Sequence, residues 1–267
     1  MSQDHISQKR AVYTIAGMEQ AVVRRDLVYR STAAAAMTMD VYYPEHVTSG
    51  ARLPAVVIVA GYRDIGAEKV FGCKFKEMGM VESWAQLIAA SGVTAIAYTN
   101  REPETDLDAL IEHVRENAAS LQIDGGRLGL FAASGSGPLA LAALMQPDRG
   151  FLRCATLLYG FMLDLGGATG VAEAAQTFRF TNPNAGKSMD DLPATLPLFI
   201  ARAGQDQFAG VNDSIDRCVA AALARNQPIT FMNHATGPHA FDLLDASEAS
   251  REIIRQVLSF LTSQLTS

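Results

Sequence analysis

The chain is poor in cysteine, in basic residues and in long apolar runs, and each shortage argues against a class of protein. Only three of its 267 residues are cysteines, Cys73, Cys154 and Cys218. An odd number of widely spaced thiols, in a chain long enough to build its own core, predicts free thiols in a reducing compartment and not a disulfide framework. Lysine and arginine total 22 against 28 acidic residues, for a net charge of −6. With no basic stripe to neutralise phosphates, nucleic acid and anionic membrane surfaces are not expected as partners. The basic doublet Arg24-Arg25 reads as decoration of an exposed strand face. No stretch approaches the roughly 20 apolar residues of a membrane span. Residues 1–20 carry no apolar core of signal-peptide length, so a cytoplasmic location is the expectation. Repeats, low-complexity tracts and Pro/Ser-rich linkers are also missing.

What is present is 49% hydrophobic against 19% charged residues, the balance of a globular protein with a sizeable core. Residues 22–29 and 37–43 have strand composition with partial alternation and predict an antiparallel hairpin at a sheet edge, ended by Pro44. The continuous apolar run 55–60 stops at Gly61. Runs of this kind mark strands covered on both faces, as in parallel sheets. From there strands (93–98, 128–131, 154–159, 198–203, 229–233) alternate with helices (82–91, 106–121, 139–145, 212–225, 248–265). Asp245 and Glu248 have capping-box spacing before the last helix. Such alternation predicts an α/β fold: one doubly wound, mostly parallel sheet in a single domain over residues 1–267. Two connections, 62–81 and about 161–196, exceed ordinary loop lengths and are expected to be a long loop and a cap-like insertion beside a site.

The run 127–145, RLGLFAASGSGPLALAALM, passes from strand to buried helix through Ala132, Ala133, Ser134, Gly135, Ser136 and Gly137, with Pro138 suited to a first helical turn. A bend that sharp tolerates only small side chains and lifts the apical serine hydroxyl above the sheet, the geometry of a nucleophile elbow. Both glycines of the usual G-x-S-x-G pattern are replaced, by Ala132 and Ser136. A plain Gly/Ser loop is the competing reading. A serine nucleophile needs a base, and the base an orienting acid. Among five histidines, His5 lies near the terminus, His46 in a polar loop and His113 on a charged helix face. His234 ends the last strand, and His239 sits in the turn Thr236-Gly237-Pro238-His239 at the carboxyl edge of the sheet. His239 is therefore the expected base, with His234 as fallback. Asp206, just past the strand 198–203, is the expected acid and Asp164 the runner-up, while Asp213 reads as a surface residue near a helix start and Asp242 as a polar loop or helix-approach residue. The oxyanion donors expected are the N–H of Gly135, next to the nucleophile, and that of Tyr62, after the strand ending at Gly61. The Tyr62 side chain is equally placed to line a pocket.

Val59-Ala60-Gly61-Tyr62, residues 130–137, Ala203-Gly204-Gln205-Asp206 and Gly237-Pro238-His239-Ala240-Phe241-Asp242 together resemble the α/β-hydrolase superfamily, nearest to dienelactone-hydrolase-like esterases. The resemblance covers nearly the whole chain after the N-terminal stretch, and the order Ser134, Asp206, His239 agrees with that fold. It implies Ser134 as nucleophile, His239 as base, Asp206 as acid, and neither a metal nor an organic cofactor. Two departures stand out. Ala60-Gly61 replaces the His-Gly of many members, and a serine stands where dienelactone hydrolases carry cysteine, so their particular reaction is not carried over.

The reading is a serine hydrolase that cleaves a small-molecule carboxylic ester or a thioester through an acyl-enzyme. A non-catalytic binding protein on the same fold, or an acyltransferase or lyase with the same triad, are the alternatives. Arg63 and Arg101 are candidates for contact with a polar substrate group or for internal ion pairs, and Phe161, with Met162, Phe178 and Phe180, for an apolar acyl or alkyl pocket. Phe71, Phe75, Met78 and Met80 are expected either over the pocket or only within their own loop, and Lys74, Lys76 and Glu77 as a solvated face. The neighbouring lysines would lower the thiol pKa of Cys73, but a plain loop cysteine is the expectation. Cys154 and Cys218 read as buried fillers. Nothing in the sequence sets the oligomeric state, and a homodimer is compatible with it.

Overall fold

Residues 55–60 and 95–98 are apolar without alternation because each lies under helices on both sides, and every one is buried. The computed structural model describes residues 6–33, 35–48 and 50–266. The chain begins with β1 (Val22–Ser31) and β2 (Ala36–Tyr43), followed by β3 (Leu53–Ile58), α1 (Asp64–Phe71), α2 (Gly79–Ala90) and β4 (Thr94–Tyr98). Then come α3 (Pro103–Glu116), β5 (Ile123–Ala133), α4 (Gly137–Leu144), β6 (Leu152–Leu158) and α5 (Val171–Phe178). It closes with β7 (Leu198–Ala203), α6 (Val211–Ala224), β8 (Ile229–His234), α7 (Phe241–Leu244) and α8 (Glu248–Thr266). The eight strands form one sheet in the order β1-β2-β4-β3-β5-β6-β7-β8. β1 pairs antiparallel with β2, and β2 with β4; all other pairings are parallel. The mostly parallel sheet and its edge hairpin follow the expectation from sequence.

The strand order reverses at β3. The α2 connection steps from β3 outward to β4, and the α3 connection returns past β3 to β5. Right-handed crossovers in opposite directions put these two helices on opposite faces of the sheet. The reversal opens a crevice at the carboxyl ends of β3 and β5, where ligands bind in open α/β sheets. Gly61 and Ser134 sit at those two ends.

Several local expectations need correction. The connection 62–81 is not irregular: it contains α1, and α2 begins three residues earlier than its apolar spacing indicated, at Gly79. α1 closes on Gly72, whose left-handed φ of 75° lets its N–H return to Glu68 O. The insertion 161–196 holds α5, an amphipathic helix. Asp245 does not form a capping box with Glu248. Ser247 takes the Ser250 N–H at the start of α8, and Glu248 pairs outward with Arg255. His5 lies outside the described residues. His46 is exposed, and His113 contacts Asn117 on α3.

Lys76 is also corrected: it is buried, not solvated. Its Nζ lies 2.6 Å from both Asp26 Oδ1 and Asp40 Oδ1. Asp26 sits in a bulge of β1 with φ 55°, and its own N–H donates to Asp40 Oδ1. This ion cluster clamps the turn Phe75–Glu77 onto the edge hairpin and fixes Phe75 beside the crevice. Asp40 is as buried as Lys76, and Lys76→Met takes away its buried cation, leaving only the half-exposed Arg25 at 3.3 Å on the other oxygen. The expected loss is about 3 kcal/mol of unfolding free energy, measured by urea titration; a loss under about 1 kcal/mol would make the clamp no stronger than a surface pair.

Candidate active site

β5 ends at Ala133, and the next residue, Ser134, has φ 53°, a left-handed conformation rare outside glycine. Backbone strain of this kind persists where the surroundings impose it. Here the carbonyl of Ser134 accepts N–H groups from Gly137 and from Phe161. Small residues are indeed demanded, but not at the motif's glycine positions. A Cβ on Gly135 would lie 2.3 Å from Tyr62 Oη, and one on Gly137 would lie 2.3 Å from Phe161 O. Ala132 is tolerated and buried, and Ser136 is put to use: its Oγ accepts the Gly61 N–H at 3.0 Å. That bond ties the end of β3 to the elbow. Gly61 has no room for a side chain either, since its Cβ would fall 2.5 Å from Gly135 O.

At the other end of the crevice, the turns after β7 and β8 are joined by backbone bonds, Gly204 N–H to His234 O and Gln205 N–H to Gly237 O. A Cβ on Gly204 would lie 2.3 Å from Ala235 O, so the two turns touch only through a glycine. They bring Asp206 Oδ2 to 2.6 Å from His239 Nδ1. His239 Nε2 in turn lies 2.8 Å from Ser134 Oγ. Asp206 Oδ1 accepts the Phe208 N–H, so both carboxylate oxygens are occupied. The imidazole is held edge-on between Tyr159 and Phe208, at centroid distances of 4.8 and 4.6 Å. Ser134, His239 and Asp206 therefore meet, as their positions in sequence anticipated.

Asp164 does not reach His239. Its carboxylate takes the N–H and hydroxyl of Thr169, and the hydroxyl bond holds its pKa below the usual range. Arg63 pairs outward with Glu102 at 2.7 Å, and Arg101 is exposed and lies outside the crevice wall. Neither contacts the cavity, and Arg63 does not pair with its neighbour Asp64. That carboxylate is buried instead, accepting the N–H groups of Phe75 and Asn100. Asp213 pairs with Arg217 on the surface of α6. Cys73 lies outside the cavity wall; burial raises its thiol pKa, with Glu77 adding to the effect. Cys154 and Cys218 are buried and pushed up to about 12 by desolvation.

Two supports of the site were not read from sequence. Asp242, expected as a polar loop or helix-approach residue, stands in the short helix α7 and is fully buried, accepting from Trp84 Nε1 at 2.7 Å and from Tyr159 Oη at 2.5 Å. Burial raises its pKa. It fixes the ring that packs on His239. The second support is a knot around His234, whose Nε2 lies 2.9 Å from Asp245 Oδ2 and 3.0 Å from Ser250 Oγ. The charged partners of both clusters lie far apart in sequence or beyond a turn, so no local spacing signals them. Among the described residues, no group of three or more His, Cys, Asp or Glu is arranged to hold a metal ion, and no helix is long and apolar enough to cross a membrane.

Ser134 and His239 open into a cavity of about 340 Å³. One wall comes from α1 and the start of α2 (Phe71, Phe75, Met78, Met80), the other from the insertion and the acid loop (Phe161, Phe178, Phe208). Phe180 stacks on Phe161 at 4.8 Å behind that second wall. Among the described residues, no Asp, Glu, Lys or Arg faces the cavity.

A mostly parallel sheet with this strand order, a strained serine at the end of β5, and a histidine and an aspartate after β8 and β7 define the α/β-hydrolase fold. Solved structures agree. A thermophilic esterase of the planctomycete Thermogutta terrifontis, with propionate bound, superposes with a TM-score of 0.70 at 18% identity, over 92% of this chain and 95% of that one. The same esterase phosphorylated by paraoxon gives 0.67 at 18% identity, with the same coverage. MGS-M1, an α/β hydrolase enzyme from a Medee basin deep-sea metagenome library, gives 0.67 at 15% identity, over 92% of this chain and 99% of that one. No protein-family model matches the sequence, and no curated protein matches it.

Asp245 yields a pH prediction. Its carboxyl is held below the usual range, first by the Ser247 hydroxyl and further by Ser250, the Ser247 N–H and His234. A depressed folded-state pKa gives stability that is present above the ordinary value near 4 and is lost as pH falls through the lower folded value. Unfolding midpoints of wild type and Asp245→Asn should therefore differ at pH 6 and draw together as pH falls below about 4. A gap that persists undiminished at low pH would refute the linkage.

Proposed function

We propose that this protein is a serine hydrolase that cleaves small, uncharged carboxylic esters through an acyl-enzyme. The observation that carries the reading is the unbroken chain Ser134 Oγ, His239 and Asp206, at 2.8 and 2.6 Å, opening on an apolar cavity. A serine hydroxyl alone is a weak nucleophile, and a histidine within hydrogen-bond reach removes that limit. His239 Nε2 takes the Ser134 proton as Oγ bonds to the carbonyl carbon, then returns it to the departing alkoxide. Asp206 keeps Nδ1 protonated and balances the imidazolium. The carbonyl oxygen, now negative, is received by the Gly135 N–H and a donor from Tyr62. Water then enters along the same path, giving its proton to His239 and releasing the acid. Every partner in this cycle is a side chain or amide of the chain itself.

The substrate class follows from the walls. A charged ester would bury its charge against phenylalanine and methionine, with no Asp, Glu, Lys or Arg among the described lining residues to pair it, at a cost of several kcal/mol. Neutral esters with alkyl or aryl groups match the surface, and 340 Å³ lies near the lower end of ligand-pocket volumes. The likeness to an esterase that paraoxon phosphorylates adds support, since organophosphates mimic the ester carbonyl.

Two outcomes test the reading. Ser134→Ala should lower kcat on short-chain aryl esters by on the order of 10⁴-fold and abolish labelling by a fluorophosphonate probe, with the unfolding midpoint unchanged. Retained turnover in that variant would disprove it. Across a p-nitrophenyl ester series, kcat/KM should rise about tenfold for each methylene added to the acyl chain until the cavity is full, while an ω-carboxylate of equal length should lose that gain. Equal rates for the neutral and carboxylated esters would refute the substrate class.

A further inference from the structure

Gly135 and Tyr62 pose a problem that the backbone does not resolve. The space beside the Gly135 N–H, where an oxyanion is expected, is occupied by the tip of the Tyr62 ring. A Cβ at Gly135 would stand 2.3 Å from Oη and 2.7 Å from Cζ. The hydroxyl stands against Gly135, the residue that follows the nucleophile. The ring is held in place: its edge meets Phe180 at 6.2 Å and 76°, and the Tyr62 carbonyl accepts from Asn100 Nδ2 at 3.0 Å. A phenol merely lining an apolar wall would turn its hydroxyl toward water; this one is turned toward the nucleophile.

We propose that the donor Tyr62 contributes to the oxyanion is its phenol hydroxyl, and that its backbone N–H has no such part. The inference rests on the serine-hydrolase reading above. Before attack, the hydroxyl stands beside Gly135 with no anion to face. During attack the Oγ–C bond forms, the carbonyl π pair moves onto oxygen, and the serine proton passes to His239. The new O⁻ forms on the Gly135 side of the nucleophile, where the phenol hydroxyl stands, and the phenol donates to it while staying protonated throughout. Burial raises the pKa of this phenol and keeps the proton on it. The hydroxyl thus meets an anionic acceptor only as the transition state is approached. An interaction that strengthens in that way raises kcat and leaves KM alone.

Tyr62→Phe isolates the hydroxyl, since phenylalanine keeps both the N–H and the ring. The expected result is a fall in kcat on the order of a hundredfold with KM within about threefold. Affinity for a trifluoromethyl ketone, which forms a tetrahedral oxyanion adduct on serine, should fall by the same factor, at an unchanged unfolding midpoint. If kcat and ketone affinity both stay within about threefold of wild type, the N–H is the donor and the inference is wrong. A rise in KM with ketone affinity intact would assign the hydroxyl to substrate packing and also overturn it. Ser134→Ala is assayed alongside: inactive Ser134→Ala with fully active Tyr62→Phe refutes only the phenol, whereas active Ser134→Ala refutes the hydrolase reading itself.

Discussion

The site depends on the contact between two stretches of backbone, the turn after β3 and the elbow after β5. Gly61 lies so close to Gly135 and Ser136 that a single methyl group would strike backbone on both. The Gly61 N–H is taken by Ser136 Oγ, which locks the approach. Everything else is arranged around this closeness. It puts Tyr62 against Gly135, opens the crevice at the reversal of strand order, and leaves the serine strained with its hydroxyl exposed to the cavity.

A second contact of the same kind supports the other half. Gly204 and Gly237 let the β7 and β8 turns meet, Gly204 against backbone and Gly237 against the His234 ring. The loops that carry Asp206 and His239 are thereby joined to each other before either side chain is placed. The buried Asp242, linking Trp84 of α2 to Tyr159 after β6, then holds the ring that packs on the imidazole, and the His234 ring lies under the turn at Gly237. A carboxylate in a fully buried position is costly unless its oxygens are satisfied, and here each oxygen accepts one strong donor. Such polar networks hold one arrangement against its neighbours, and a base that must keep hydrogen-bond geometry needs that rigidity.

The apolar walls belong to the two stretches that were too long for ordinary connections. Their lengths and phenylalanine and methionine content were legible as something lying over a site. Their helical character was not, because short helices such as α1 and α5 owe their stability to packing and not to a long periodic pattern. The charge of Arg63 and Arg101 drew them toward a polar substrate, yet one finds Glu102 and the other lies outside the wall. Lys76 misled in the opposite direction, because nothing in its own neighbourhood shows that Asp26 and Asp40 lie within reach.

The sequence by itself determined the alternation of strands and helices, the parallel sheet with its edge hairpin, and the three positions, 134, 206 and 239, that come together. These features follow from local rules: buried parallel strands read as unbroken apolar runs, and in such sheets functional side chains sit just past strand ends. Only the tertiary structure decided which glycines of the elbow are needed, that Asp206 and not Asp164 faces His239, that Asp242 and Lys76 are buried, and where the Tyr62 hydroxyl points. Each of these is set by a partner more than ten residues away, through distances of a few ångströms that spacing along a chain does not encode.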